Sequence, residues 1–165
     1  NMFFIFFIIM NYIIILIFII IIIIIILIDI SLSIYRNYRR SNYYNISLSV
    51  GKITGKKLLV IGNPVSGVWN KYIKQAYGCG DICLDLLGCN CPIQIKGDIL
   101  KELKKMNTNS FVIYESCVLE YIDQTKLPEV KKEIDRVSGG HYYGVRIFPN
   151  IVPLVGANFL QTGDI

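Results

Sequence analysis

The sequence GDILKELKKMNTNSFVIYESCVLEYIDQTKLPEVKKEIDRVSGGHYYGVRIF, from Gly97 to Phe148, decides the fold of this chain. Its apolar run 111–114 ends at a polar Glu-Ser pair, a pattern typical of a buried strand that ends at a polar edge. Apolar residues then recur at helical intervals from Leu127 to Val137, two glycines end the helix, and a second apolar strand follows. A strand, a helix and a further strand predict the crossover unit of a parallel sheet.

The same alternation extends upstream of this unit. Apolar runs at 58–61, 82–86 and 93–95 are each followed by turn residues, and helical spacing covers 67–77 and 99–106. The resulting order of strands and helices predicts an α/β fold, a Rossmann-like and mainly parallel sheet of about five strands with helices on its faces.

The sheet is expected to be C-terminally truncated, because only seventeen residues follow Phe148. An open sheet edge has to be covered, so we expect the tail, a partner chain or the membrane surface to lie against it.

The first thirty residues have a composition that suits an apolar environment such as the core of a membrane. From Phe3 to Ile28 every residue except Asn11 is apolar or aromatic, and no charge occurs before Asp29. This length exceeds the roughly 20 residues that cross a bilayer core as a helix. A signal peptide would have a basic start and a small-residue cleavage site, and both are missing from this segment. The sequence therefore predicts one transmembrane helix over residues 1–30.

Basic residues directly after this segment predict its orientation. The net charge of +5 lies wholly in the juxtamembrane region, since basic and acidic residues balance at eleven each from Leu58 onward. The basic residues are Arg36, Arg39, Arg40, Lys52, Lys56 and Lys57. Their position predicts a single-pass membrane protein with a cytoplasmic C-terminal domain and favours anionic lipid over nucleic acid as the partner.

The chain then divides into a basic, polar juxtamembrane linker at 31–55 and an α/β domain at 56–165. The linker is predicted because 41–54 is rich in Asn, Ser and Gly. Another interpretation remains open, since the chain opens with Asn1 and a nearly homopolymeric isoleucine run. In that interpretation the native protein starts near Lys56.

The ends of the predicted strands indicate where a ligand binds. In open parallel sheets the ligand site is the crevice outside the carboxyl ends of the strands. The sequence places 62–67, Asp85, Asp98 and 115–121 there. The carboxylates among them suit a ligand with hydroxyl and amino groups, because a carboxylate accepts hydrogen bonds from both.

Three sequence blocks carry a resemblance to a known family. They are GDI after strand three, SFVIYESCVLEYID through strand four and its turn, and EIDRVSGG before strand five. Over Lys56 to Pro149 the chain resembles a class I S-adenosylmethionine-dependent methyltransferase of the small "methyltransferase type 11" sort. The resemblance implies S-adenosylmethionine as the cofactor. The implied cofactor-binding residues are Gly62, Asn63, Gly67, Asp85, Asp98, Ser116 and Cys117.

Two functions follow from this resemblance. The first is a membrane-anchored methyltransferase-like protein acting on an unknown acceptor, with no residue assigned as the base. The second is a catalytically inactive binding or scaffold protein that keeps the fold. Two departures from the family favour the second: Val60 in strand one stands where the family has an acidic residue, and Pro64 of the loop GNPVSG has no backbone donor.

Four of the five cysteines lie close together in the sequence, at Cys79, Cys83, Cys89 and Cys91. Their spacing matches a zinc site only loosely, so we expect unligated thiols and no metal. Disulfides are disfavoured in the cytoplasm. In the opposite topology the same cysteines could pair and the Asn45-Ile46-Ser47 sequon could be glycosylated.

The other candidate residues are expected to have structural roles. His141 has no Ser or Cys partner in the pattern, so we expect it at a strand edge rather than in a triad. Glu115 and Glu120 are expected to be solvated or to cap a helix rather than to act as a base. Trp69 and Tyr72 are expected in the core.

Overall fold

The computed structural model describes residues 2–64, 76–147 and 160–163. Three α-helices lie within these ranges: α1 (Met2–Thr54), α2 (Ile99–Lys104) and α3 (Leu127–Ser138). The strands are β1 (Lys57–Ile61), β2 (Ile82–Asp85), β3 (Gln94–Lys96), β4 (Phe111–Ser116), β5 (Tyr142–Ile147) and β6 (Leu160–Gly163). A 3-10 turn, Leu119–Tyr121, follows β4. The helix predicted over 67–77 lies almost wholly outside the described residues, as do Trp69 and Tyr72.

The strands form one sheet in the order β3-β2-β1-β4-β5-β6. Neighbouring strands from β3 to β5 are parallel, which confirms the predicted α/β fold with a parallel five-stranded sheet. The sixth strand differs from the prediction of a truncated sheet. β6 pairs antiparallel with β5, with Gly144 opposite Gly163, so of the three expected covers for this edge the tail is the one that lies against it.

The sheet is apolar on both faces because successive strand residues point in opposite directions. In β1, Leu59 and Ile61 face α2 and α3, whereas Leu58 and Val60 face the C-terminal part of α1. The first cluster also includes Leu84, Leu103, Ile113, Leu119, Val130, Ile134 and Val137. The second also includes Val112, Tyr114 and Val145. Continuous apolar strands are therefore explained by burial on both sides.

The prediction of a linker at 31–55 was wrong, because this segment is helical through Thr54. Tyr44 and Leu48 pack against the sheet, and Ser47 between them is fully buried. The Ser47 hydroxyl donates to the Tyr44 carbonyl at 2.7 Å, which satisfies the buried group. Small polar residues, which suggested a linker, here let the helix approach the sheet closely.

Within the described residues one helix, α1, is long and apolar enough to cross a membrane. Its most apolar window has a mean hydropathy of 3.9 and none of that window is buried inside the protein. The 53 residues of α1 correspond to a helix about 80 Å long, more than a bilayer core requires. The possible membrane span and the helix that covers the sheet are therefore one continuous element.

Arg136 of α3 ties this helix to the end of α2. Its guanidinium donates to the carbonyl of Leu103 at 2.9 Å and to that of Met106 at 3.0 Å, and it pairs with Glu133 at 2.7 Å. Because the last carbonyls of a helix have no partner within the helix, Arg136 acts as a C-terminal cap for α2.

We expect Arg136→Ala to lower the free energy of unfolding by about 2 kcal/mol, since hydrogen bonds to charged groups contribute roughly 1.5–3 kcal/mol. Urea unfolding of the full chain in detergent micelles measures this change. Lys104→Ala is the matched control, because its ion pair with Glu129 is half exposed and should have no measurable effect. Equal stability of Arg136→Ala and the native chain would contradict the capping role.

Candidate ligand-binding cavity

A cavity of about 600 Å³ lies at the carboxyl ends of the parallel strands. The strand order reverses at β1, with β2 and β3 on one side and β4 and β5 on the other. The turns after β1, β2, β3 and β4 all reach this cavity, which is the position where doubly wound α/β sheets bind their ligands. Its volume lies within the range of small-molecule sites, roughly 300–1,000 Å³.

Six of the seven predicted site residues line the cavity, and the seventh, Gly67, lies outside the described residues. The six are Gly62, Asn63, Asp85, Asp98, Ser116 and Cys117. They come from four separate turns, so the sheet topology gathers residues that are up to 55 positions apart in the sequence. Their roles in binding stay a prediction.

Two carboxylates stand at neighbouring strand ends. Asp85 Oδ1 accepts from the Leu87 amide at 2.9 Å, and Asp98 Oδ1 accepts from the Lys101 amide at 3.1 Å at the start of α2. In each carboxylate one oxygen is held by the turn. Among the described residues no hydrogen bond is seen to the second oxygen of either group.

The turn after β1 is sharp and tightly packed. Gly62 has φ of +99°, and its amide donates to the Leu84 carbonyl at 2.9 Å. A Cβ at this position would lie 2.6 Å from a methyl carbon of Val118. Only a glycine fits both the backbone conformation and the space. Pro64 of the same turn is buried and lines the cavity but offers no backbone N–H.

Arg40 of α1 forms part of the cavity wall, a role that the sequence analysis missed. Its Nη2 donates to Cys117 Sγ at 3.1 Å, and its carbonyl accepts from the Tyr114 hydroxyl at 3.2 Å. The Arg40 Nε is buried and has no hydrogen-bond partner among the described residues. The cavity therefore contains a guanidinium delivered by the helix that leads to the apolar segment.

Cys117 stands at the end of β4 in the left-handed region, with φ of 62°. Burial raises the pKa of its thiol above the ordinary value, and the charge and hydrogen bond of Arg40 only partly oppose this. The side chain is therefore a neutral thiol at pH 7 that lines the cavity. A neutral thiol is a weak nucleophile, so Cys117 is better suited to shaping the wall than to attacking a ligand.

Glu115 caps the turn after β4 and does not line the cavity. Its Oε1 accepts from the amides of Val118 and Leu119, and its Oε2 accepts from the Tyr142 hydroxyl at 3.0 Å. The side chain is fully buried, and burial raises its pKa to about 7. The sequence analysis expected Glu115 and Glu120 to be solvated or to act as caps. Glu115 is a cap, whereas Glu120 is exposed.

His141 lies directly before β5 and is partly buried. Its carbonyl accepts from the Ile113 amide of β4 at 2.9 Å. This position at the end of a strand agrees with the structural role that the sequence indicated.

The cysteines differ from the prediction of unligated thiols. Cys79 is bonded to Cys91 and Cys83 to Cys89, with Cα atoms 5.7 Å and 6.3 Å apart. The pairing arises because the loop after β2 folds back over that strand and brings residues six and twelve positions apart together. The free cysteine is Cys117.

Comparison with known proteins gives no match, whether by family models, by curated proteins or by solved structures. The site is therefore interpreted from its own geometry.

Proposed function

We propose that this chain is a membrane-anchored S-adenosylmethionine-dependent methyltransferase-like protein. The observation that carries the proposal is the cavity at the reversal point of the sheet, where Gly62, Asp85, Asp98 and Ser116 meet. A nucleoside-sized ligand suits its volume of about 600 Å³.

The two carboxylates suit the polar groups of such a ligand. The second oxygen of Asp85, at the end of β2, would accept hydrogen bonds from ribose hydroxyls, and Asp98, after β3, would accept from the adenine amino group. The Gly62 turn, which has no side chain, would let the ligand approach the end of β1. S-adenosylmethionine would supply an electrophilic methyl group, so the chain's own task would be binding and orientation.

In this proposal the methyl acceptor is a molecule bound at the membrane surface. Asn37 and Arg40 line the cavity, and along the helix they lie only about 14 and 18 Å beyond Ile28, where the uninterrupted apolar run ends. Tyr35 and Tyr38 are exposed on the intervening turns and are typical of the bilayer interface. A membrane-bound acceptor that extends this far from the bilayer would reach this mouth.

Two observations favour a second function, a binding protein without catalysis. Pro64 removes a backbone donor from the turn that would approach the ligand, and Val60 is a buried apolar residue of β1. Methyl transfer from labelled S-adenosylmethionine to isolated membranes separates the two functions, because a binding protein would bind the ligand and transfer nothing.

Calorimetry of the full chain in detergent micelles with S-adenosylmethionine tests the proposal. We expect binding, and we expect Asp85→Ala to weaken it by about 1–3 kcal/mol, or roughly 5- to 150-fold, through the lost charge-assisted hydrogen bonds. Asp135→Ala is the matched control, since Asp135 is exposed on α3 and does not line the cavity. No binding at millimolar ligand by a folded chain would overturn the proposal.

A further inference from the structure

The four clustered cysteines form one group of sulfur atoms rather than two separate pairs. The Sγ atoms of Cys83, Cys89 and Cys91 all lie within 4.8 Å of one another. Cys79 joins the same group because its Sγ is bonded to that of Cys91. Three sulfurs from β2 and the loop after it therefore lie together, and the fourth, from the loop before β2, is bonded to one of them.

This convergence matches the requirement of a tetrathiolate metal site. Zinc binds four cysteine sulfurs tetrahedrally at about 2.3 Å, which places the sulfurs about 3.8 Å from one another. The sulfurs of Cys83, Cys89 and Cys91 lie within 4.8 Å of one another, with those of Cys83 and Cys89 joined in a disulfide, so they are close enough to share one ion once reduced. Once both disulfides are reduced, changes of side-chain rotamer would let the four sulfurs move apart into a tetrahedron. The spacing of the cysteines in the sequence did not indicate a metal site, because their convergence depends on how the loop folds and not on the interval between them.

The backbone around the cluster is held by bonds that do not involve sulfur. The Asp85 carbonyl accepts from the amides of Gly88 at 3.3 Å and Gly97 at 3.1 Å. The Cys89 amide donates to the Gln94 side chain at 2.8 Å, and the Cys83 amide donates to the Ile93 carbonyl at 3.1 Å. We therefore expect the cysteines to stay together when the disulfides are reduced.

The cysteine cluster is buried but is distinct from both apolar clusters of the sheet. Cys83, Cys89 and Cys91 are at most 8 % exposed and pack against one another and Cys79, not against the aliphatic clusters of the sheet. Four thiols gathered in this way would add little to apolar packing. A bound metal gives the cluster a role in a reducing compartment, where disulfides are rare and where the basic residues after the apolar segment would place the domain.

We propose that Cys79, Cys83, Cys89 and Cys91 bind one Zn²⁺ in the reduced protein and that the two disulfides are the oxidised form of the same site. Reduction by a phosphine converts each disulfide and one water into two thiols and one phosphine oxide. The four thiols then bind Zn²⁺ as thiolates and release four protons. Soft thiolate ligands in a tetrahedral set favour zinc among the available divalent ions.

The site adjoins the cavity but is separate from it. Cys83 Sγ lies 3.4 Å from the Gly62 carbonyl, and the Asn63 amide group donates to the Gly88 carbonyl at 3.4 Å. Zinc would thus join the segment before β2, β2 itself and the β2–β3 loop beside the cavity, which makes its role structural.

Metal titration of the reduced full chain in detergent micelles tests this site. After phosphine reduction without oxygen, we expect one Zn²⁺ per chain by elemental analysis, and with Co²⁺ alone we expect the thiolate charge-transfer and tetrahedral d–d absorption bands. The oxidised chain should bind neither ion at this site. Cys89→Ser should weaken zinc binding by more than about 100-fold, since partners outside the ligand shell alone are worth 10- to 100-fold.

Cys117→Ser is the matched control, because Cys117 is buried but lies outside the cluster, and it should keep one zinc per chain. A folded, reduced native chain that binds less than about a tenth of an equivalent of zinc would overturn the proposal. So would loss of the cobalt bands in Cys117→Ser with retention in Cys89→Ser. Should Cys89→Ser fail to fold, the cobalt spectrum and stoichiometry of the native chain decide the question alone.

Discussion

Glu115→Gln is expected to remove most of the pH dependence of stability between pH 4.5 and pH 8. In the folded chain burial raises the pKa of Glu115 from 4.5 to about 7, so the fold favours the protonated carboxyl. The stability from this shift is fully present below the unfolded pKa and is lost as the pH rises through about 7. A shift of this size corresponds to about 3 kcal/mol.

Urea unfolding of the full chain at pH 5 and pH 8 measures this loss. A glutamine is neutral at both values and keeps a carbonyl oxygen for the amides of Val118 and Leu119, so its stability should change little. Glu129→Gln is the matched control, because Glu129 is a half-exposed carboxylate on α3 whose charge is not among those that shift the pKa of Glu115. It should follow the pH dependence of the native chain. If Glu115→Gln did the same, ionisation of Glu115 would not be the cause.

The sheet was predictable from the sequence because its strands are buried on both faces. Leu58 to Ile61 is a continuous apolar run, and only a strand covered on both sides needs one. The residues that end such strands are then brought together by topology alone, which is why Asp85, Asp98 and Ser116 were identified without any contact being known. The apolar pattern of the strands and the positions of the residues that follow them were enough to place these three residues at the cavity.

The position of Arg40 and the fold of the cysteine loop could not be predicted from the sequence in the same way. Arg40 looked like one of six juxtamembrane cations, and its place in the cavity depends on α1 continuing through 41–54, where Ser and Asn suggested a linker. The helical face was present in Tyr44, Ser47, Leu48 and Gly51, but small residues carry little apolar signal. The cysteine pairs depend on how the loop after β2 folds, and no spacing rule gives that path.

Gly62→Ala is expected to lower the free energy of unfolding by about 2–6 kcal/mol through two separate costs. At φ of +99° an alanine is strained, which costs of order 1–3 kcal/mol. Its Cβ would also lie 2.6 Å from a Val118 methyl, and overpacking of this kind costs about 1–3 kcal/mol. Urea unfolding of the full chain in micelles at a fixed pH measures the sum.

A double-mutant cycle with Val118→Ala separates the two costs, because it removes the methyl that the new Cβ would meet and leaves the backbone unchanged. The double variant should therefore recover the overpacking part, giving a coupling energy of about 1–3 kcal/mol, while the strain at residue 62 remains. A coupling energy near zero would mean that Val118 moves away at no cost and that backbone conformation alone selects glycine. Since both residues line the cavity, the first result would mean that the contact between the β1 and β4 turns is rigid. A rigid contact there would keep the site formed before any ligand arrives, and binding would then carry little cost of ordering the chain.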